Sequence, residues 1–285
     1  MRTKQLLLAL LLSLIGIHVA EAESYTPVKG GKIVTDDGIY IVTGDNIIPN
    51  SDFSEGLTGW KAGDNSDLSA DNFEIITDGG PDGGPCIHAL GGAGSSSNQT
   101  IKTGWAIEIG KTYVFTVWAY RTQSGMSSNT QYSQVWQSKS ETDADTEIGK
   151  ITFKGDTWVQ SQFVFTAEKP YFVAKFAWLN KASSFAHFFL AEVEKSNELV
   201  TTSLEASIAT AQETLDTTEE GDEKGQYTTA VRKTLSDAIA AAKNVLDTAT
   251  TQDEINDAKK ALDTAVKTYT ASMNPPFKLG VGYTI

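Results

Sequence analysis

Cysteine and histidine are scarce in this chain: Cys86 is the only cysteine, and His18, His88 and His187 are the only histidines. One thiol cannot make a disulfide framework, and isolated imidazoles do not make a zinc site. Basic residues are also few, 23 Lys and Arg against 36 Asp and Glu, for a net charge of −13. That argues against nucleic acid and anionic membrane surfaces as partners, because a phosphate surface needs a cationic footprint. The acidity reads as a solubility device. No uninterrupted apolar run reaches the roughly 18 residues of a spanning helix, so no membrane insertion is expected. There is no Gly-x-Ser-x-Gly elbow and no Walker loop. The segments that read as strands hold few of the acids from which a glycosidase pair is built. Cys86, between Pro85 and Ile87 with no activating neighbour, reads as a small buried hydrophobe. The chain is therefore expected not to be an enzyme, and a small hydrolase is the weakest of the functional readings.

What is present begins with an export signal. Residues 1–22 combine cationic Arg2 and Lys4, the apolar run from Leu6 to Ile17, and Ala20-Glu21-Ala22 as a small-x-small cleavage site. The mature chain is expected to be secreted, to the periplasm or beyond. A lipid anchor would need a cysteine at the cleavage site, and Cys86 lies far downstream. The remainder changes character near Glu198. Residues 24–197 are rich in Gly, Ser, Thr, Asn and aromatics in short alternating runs, whereas residues 198–273 are rich in Ala, Thr, Glu, Asp and Lys and contain no proline. The expectation is an all-β sandwich or jelly roll over 24–197, an all-α three-helix bundle over 198–273 and a tail over 274–285.

The strand signals are local. Lys32–Thr35 and Ile39–Val42 flank Asp36-Asp37-Gly38, a hairpin signal. Tyr113 to Tyr120 alternates, with Tyr113, Phe115, Val117 and Ala119 on one side and Thr116, Trp118 and Tyr120 on the other. Further strands are expected over 98–102, 131–137, 147–153, 158–166, 172–180 and 186–194. The helical signals are three apolar stripes: Leu204/Ile208/Ala211/Leu215, Val231/Leu235/Ala238/Ala242/Val245 and Ile255/Ala258/Leu262/Ala265/Tyr269. Thr202 with Glu205 and Thr251 with Glu254 have capping-box spacing, and Pro275-Pro276 stops the third helix.

Several motifs arrive in a recognisable order. Asn46-Ile-Ile-Pro-Asn-Ser-Asp-Phe53 is followed by Gly56-Leu-Thr-Gly-Trp60, then Gly110-Lys-Thr-Tyr113 running into Phe115 to Tyr120. Asp156-Thr-Trp158 then runs into Phe163-Val-Phe-Thr166, and a last strand reads Phe188-Phe-Leu-Ala-Glu-Val193. Together, over about 46–195, they resemble the carbohydrate-binding modules of the family 4/9 type, with a galactose-binding-like jelly roll. The resemblance implies a polysaccharide or oligosaccharide ligand and, as further partners, other proteins of glycan degradation. It also implies a structural calcium, for which Asp52 and Glu192 are the candidate ligands. The last strand of such modules usually carries Asp-Asp-Val, so Ala191-Glu192-Val193 departs from that pattern. The helical segment, with Gly225-Gln-Tyr227 before the second helix, resembles the FIVAR type of three-helix module.

Sugar binding without catalysis needs exposed aromatic planes and amide or ammonium donors. Alternation puts Trp118 and Tyr120 opposite the apolar side of their strand, and Tyr132, Gln134 and Trp136 opposite Val135 in theirs. These five are the candidate glycan-binding face. Trp60 and Trp158, beside turns in the signature, read as core plugs. Trp105 reads as a turn-packing or rim residue, and Lys175 as a solvated or contacting lysine. The competing reading is a spacer or adhesin with a protein ligand.

Overall fold

The computed structural model describes residues 25–90, 100–122, 133–177 and 183–274. The expected first hairpin forms between β1 (Lys32–Thr35) and β2 (Gly38–Val42), with Thr35 opposite Gly38 and Asp36-Asp37 as the turn. β3 (Phe73–Ile76) and β4 (Cys86–Ala89) pair across the Asp- and Gly-rich turn, two strands that the sequence reading did not anticipate. There follow β5 (Ile101–Ala106), β6 (Thr112–Arg121), β7 (Ser133–Ser138), β8 (Thr146–Lys150), β9 (Val159–Thr166), β10 (Tyr171–Phe176) and β11 (Ser183–Lys195). These eleven strands make a seven-stranded sheet, β1-β2-β11-β4-β3 with β6 on β11 and β9 on β6, and a four-stranded sheet, β5-β10-β7-β8.

Between the inner faces of the two sheets lies one apolar core. Phe115, Val117 and Ala119 of β6 and Phe185, Phe188 and Leu190 of β11 meet Ile101 and Trp105 of β5, Val135 of β7 and Phe172, Ala174 and Phe176 of β10. Aromatic pairs bridge the layers: Phe115–Phe172 at 4.7 Å and Phe176–Phe185 at 4.5 Å between ring centroids. Phe188 reaches the core because β11 breaks its register between Ala186 and Phe189, with His187 in the left-handed region at φ 53. A bulge of this kind re-aims side chains that strict alternation would turn outward. Trp60, 1% exposed, packs at 4.6 Å on Phe188 and 5.6 Å on Trp105, and its indole N–H donates to Asn50 O at 3.2 Å. It is the core plug the motif implied.

Trp158 is not. It is half-buried outside that core, with Tyr120 at 5.6 Å as its ring partner. The cause is register: Ala119 faces Val159, so the next pair outward puts Trp158 on the Tyr120 side of the sheet.

The chain divides into two compact units, 1–31 with 42–193 and 32–41 with 194–285. The first hairpin thus groups with the helices, a different partition from the boundary at 197. In that second unit Ser196 N donates to Ile39 O at 2.7 Å, Asn256 Nδ2 donates to Asp36 O at 2.9 Å, and Lys32 pairs with Glu198.

The second unit holds α1 (Thr202–Thr217), α2 (Thr229–Thr248) and α3 (Gln252–Ala271). The three stripes converge as expected: Leu204, Ile208, Ala211, Leu235, Ala242, Ile255, Leu262 and Tyr269 are buried together, joined by Ile239 and Tyr227. The Tyr227 and Tyr269 rings stack at 4.3 Å and 5°. Arg232 Nη1 donates to Thr218 O at 2.7 Å and to the Tyr269 hydroxyl at 3.2 Å, tying the α1–α2 connection to α3. α3 begins with the expected capping box, Thr251 and Glu254. α1 does not: its cap is Thr201, with no side-chain cap bond. Thr202 is already the first helical residue there, and the Thr201 hydroxyl donates to the Glu205 carboxylate at 2.7 Å instead.

Candidate functional site

The outward sides of the two sheets follow from what their alternate residues bury. On the seven-stranded sheet, the inward set of β6 leaves Trp118 and Tyr120 outward, opposite Gln160 of β9 and Ala186 and Ser184 of β11. Trp118 is largely committed to its own chain. Its indole N–H donates to Tyr25 O at 2.9 Å, and the Tyr25 ring lies 5.0 Å from its own. His187 holds the same segment from the side, with Nδ1 2.8 Å from the Thr26 hydroxyl and Nε2 3.0 Å from Asp82 Oδ1. Burial raises the Asp82 pKa, but the Gly84 amide and His187 outweigh it and leave the carboxyl below its ordinary range. Tyr120 continues outward to Trp158, while Ser184 bonds His88 Nδ1 at 2.7 Å.

The four-stranded sheet presents a different outward face. Ile101, Thr103 and Trp105 point inward from β5, Val135 from β7, and Phe172, Ala174 and Phe176 from β10. Lys102 and Gly104, Gln134 and Trp136, and Tyr171, Val173 and Lys175 therefore point outward. Registers align them in two rows across the sheet: Lys102–Lys175–Gln134–Lys150 and Gly104–Val173–Trp136–Glu147.

Trp136 is half-buried, yet its Nε1 is wholly buried and has no hydrogen-bond partner among the described residues. Gln134 donates its amide to the Glu147 carboxylate. At Gly104 the backbone of Glu141 passes so close that any Cβ would collide with it, so the segment after β7 crosses this edge. Beside that crossing is a cleft of about 270 Å3 lined by Lys61, Asn65, Lys102, Gly104, Trp105 and Thr142 among others. Desolvation, then the charge of Lys175, push the Lys102 pKa below its ordinary value, with Asp143 and Asp64 opposing.

The five expected face residues therefore do not form one platform. Trp118 and Tyr120 lie outward on the seven-stranded sheet, Gln134 and Trp136 outward on the four-stranded one, and Tyr132 falls outside the described residues. Alternation correctly gave the side within each strand, but it carries no information about which sheet a strand joins. Lys102 and Gly104 were missed, although Ile-Lys-Thr-Gly-Trp over 101–105 alternates and could have been read the same way. Trp105, 8% exposed and stacked 6.3 Å from Phe172, belongs to the core rather than to a rim.

The proposed calcium ligands each have another partner. Asp52 Oδ1 accepts from the Ser54 amide at 3.1 Å and the Ser54 hydroxyl at 2.8 Å, and these bonds hold its pKa below the ordinary carboxylate value. Glu192 Oε2 accepts from Lys111 Nζ at 2.9 Å. Among the described residues no group of three or more His, Cys, Asp or Glu side chains is placed to hold a metal. Cys86 is buried, and desolvation pushes its thiol up to about 11.

Comparison with known proteins places these observations. The family model described as carbohydrate binding domain, of the 4/9 type, matches residues 45–177. No curated protein matches the chain. Among solved structures, the CBM22-1 xylan-binding domain from Paenibacillus barcinonensis Xyn10C is 12% identical, covering 54% of this chain and 97% of its own, with a TM-score of 0.36. A CBM4 structure is 16% identical, covering 51% of this chain and 99% of its own, with a TM-score of 0.32. The K3 adhesin domain of Lys-gingipain from Porphyromonas gingivalis is 15% identical, covering 53% and 95%, with a TM-score of 0.30. The family match covers most of the sandwich and stops short of the helices, so it is the segment 45–177 that is similar to the carbohydrate binding domains of the 4/9 type.

Proposed function

We propose that the chain is an exported, non-catalytic glycan-binding protein whose ligand lies along the outward face of the four-stranded sheet. The observation that carries this reading is Trp136: a half-buried indole on the outward side of the sheet, with the Gln134 amide two residues away on the same side of its strand. The exposed part of that ring offers a planar apolar surface on which a pyranose C–H face can pack. Gln134 and Lys175 supply further donors in the neighbouring row. The large-sheet aromatics fit this role less well, since Trp118 already gives its N–H and its ring contact to Tyr25. Export rests on the signal-like residues 1–22.

The test is affinity electrophoresis of the full mature chain on gels containing soluble polysaccharides. Trp136→Ala should abolish retardation and Trp118→Ala should leave it nearly intact. The opposite pattern would move the site to the seven-stranded sheet. Failure of the wild type on every glycan would favour a spacer or adhesin with a protein ligand.

A further inference from the structure

Resting on that binding face, the charge pattern says what kind of glycan it suits. Lys102 and Lys175 are directly opposed across β5 and β10 on the outward side, a like-charge pairing that is unfavourable on a sheet unless something compensates it. Neither ammonium lies within 4 Å of a carboxylate among the described residues, whereas those of Lys61, Lys111 and Lys169 do. In the same row Lys150 reaches only Glu147, at 3.9 Å, and Glu147 is already engaged by Gln134. The remaining acids that act on Lys102 are Asp143 and Asp64, and their pull is smaller than the desolvation and the Lys175 charge that oppose it.

Lys102 and Lys175 are therefore held without an ion pair of their own among the described residues, partly out of water, on a protein of net charge −13. Generic attraction of the whole molecule for polyanions is opposed by that net charge, so anion affinity needs a local cationic cluster, which this row supplies on the proposed binding face. Trp136 lies in the next row of the same face, opposite Val173.

We infer that the ligand is an anionic glycan, with the carboxylate or sulfate groups of successive residues seated between Lys102 and Lys175 and the sugar plane on Trp136. Arg or Lys bonds to such anions are charge-assisted and stronger than neutral ones. Anion binding also stabilises the protonated form of Lys102, so affinity should fall as pH rises through its depressed pKa, below the pH at which a free lysine deprotonates.

The experiment compares the full mature chain on gels of dextran, polygalacturonate and dextran sulfate, with the K102Q/K175Q double variant and K29Q as a control on an exposed lysine. The expected result is retardation by polygalacturonate, dextran sulfate or both, and little by dextran; which of the two polyanions retards the chain identifies the anionic group. K102Q/K175Q should weaken retardation by about tenfold or more, the effect of losing a charged hydrogen bond, while K29Q does not. Raising salt from about 0.01 to about 1 M, which shortens the screening length from roughly 30 to 3 Å, should act like the double variant. Retardation on dextran that Trp136→Ala abolishes and K102Q/K175Q leaves unchanged would overturn the anionic inference and keep the glycan-binding reading. Absence of retardation on all three gels overturns both.

Discussion

Trp60 and Trp158 sit at equivalent places in the sequence motif, each beside a turn, but the fold gives them unequal work. Removing Trp60 takes out a ring that is 1% exposed and packed against Phe53, Trp105 and Phe188. Trp60→Ala therefore carries the cost of a large-to-small core change, about 3–5 kcal/mol. The bond to Asn50 O at 3.2 Å goes as well, and leaves that carbonyl short of a donor for roughly 1 kcal/mol more. At about 2–4 °C per kcal/mol for a unit of this size, the melt should fall by roughly 10 °C or more. Trp158→Ala removes a half-buried ring with one aromatic partner, a pair worth about 0.5–1.5 kcal/mol beyond the area it buries, and should lower the melt clearly less than Trp60→Ala. Tryptophan fluorescence is the suitable probe, because all six tryptophans precede Glu198 and the helices contribute none. If Trp158→Ala melts early and Trp60→Ala does not, the register that separates their faces is wrong.

Other expectations follow from buried polar groups. Arg121 is fully buried, with Nε donating to Ser183 Oγ at 2.9 Å, the guanidinium 4.2 Å above the Phe153 ring, and both Nη atoms without a hydrogen-bond partner among the described residues. Desolvation lowers its pKa, so Arg121→Met should leave the melting temperature unchanged or raise it; a fall of several degrees would reveal a compensating anion. Cys86 should resist thiol reagents until the sandwich unfolds. With the thiol at about 11 folded against 9.0 unfolded, stability is unaffected below pH 9 and declines as pH rises towards 11, because only the unfolded chain ionises readily there. Prompt labelling of the native protein would refute its burial. Excess chelator and millimolar calcium should leave the melt unchanged, given the Lys111 ammonium on Glu192; a chelator-induced drop would show that a calcium site exists.

The sequence made most elements legible because their signals are local. The Asp36-Asp37-Gly38 turn, the Tyr113 to Tyr120 alternation and the three helical stripes each report on residues only a few positions apart. The missed elements are those without such a signal. Phe73–Ile76 and Cys86–Ala89 are four residues long and embedded among Asp and Gly, too short to show a period. Long-range pairing was out of reach in the same way. The split of Trp118 from Trp136 depends on β6 joining β11 and β9 while β7 joins β10, and the placing of Trp158 depends on a single register between β6 and β9. The bulge at His187, which sends Phe188 inward, reverses alternation at a point no periodic pattern marks. Part of the candidate site was nevertheless in hand, since Gln134, Trp136 and Lys175 were all placed outward from their own strands alone.

The central claim is that glycan lies on the four-stranded sheet against Trp136, and the six indole N–H groups offer a direct test. In a proton–nitrogen correlation spectrum of the labelled protein, with Trp136 and Trp118 assigned by substitution, titration with a polysaccharide that retards the chain should shift or broaden the Trp136 indole resonance selectively as the sugar covers the exposed part of its ring. The Trp118 resonance, already bonded to Tyr25 O, should stay in place. A shift confined to Trp118, with Trp136 unmoved at saturation, would contradict the account.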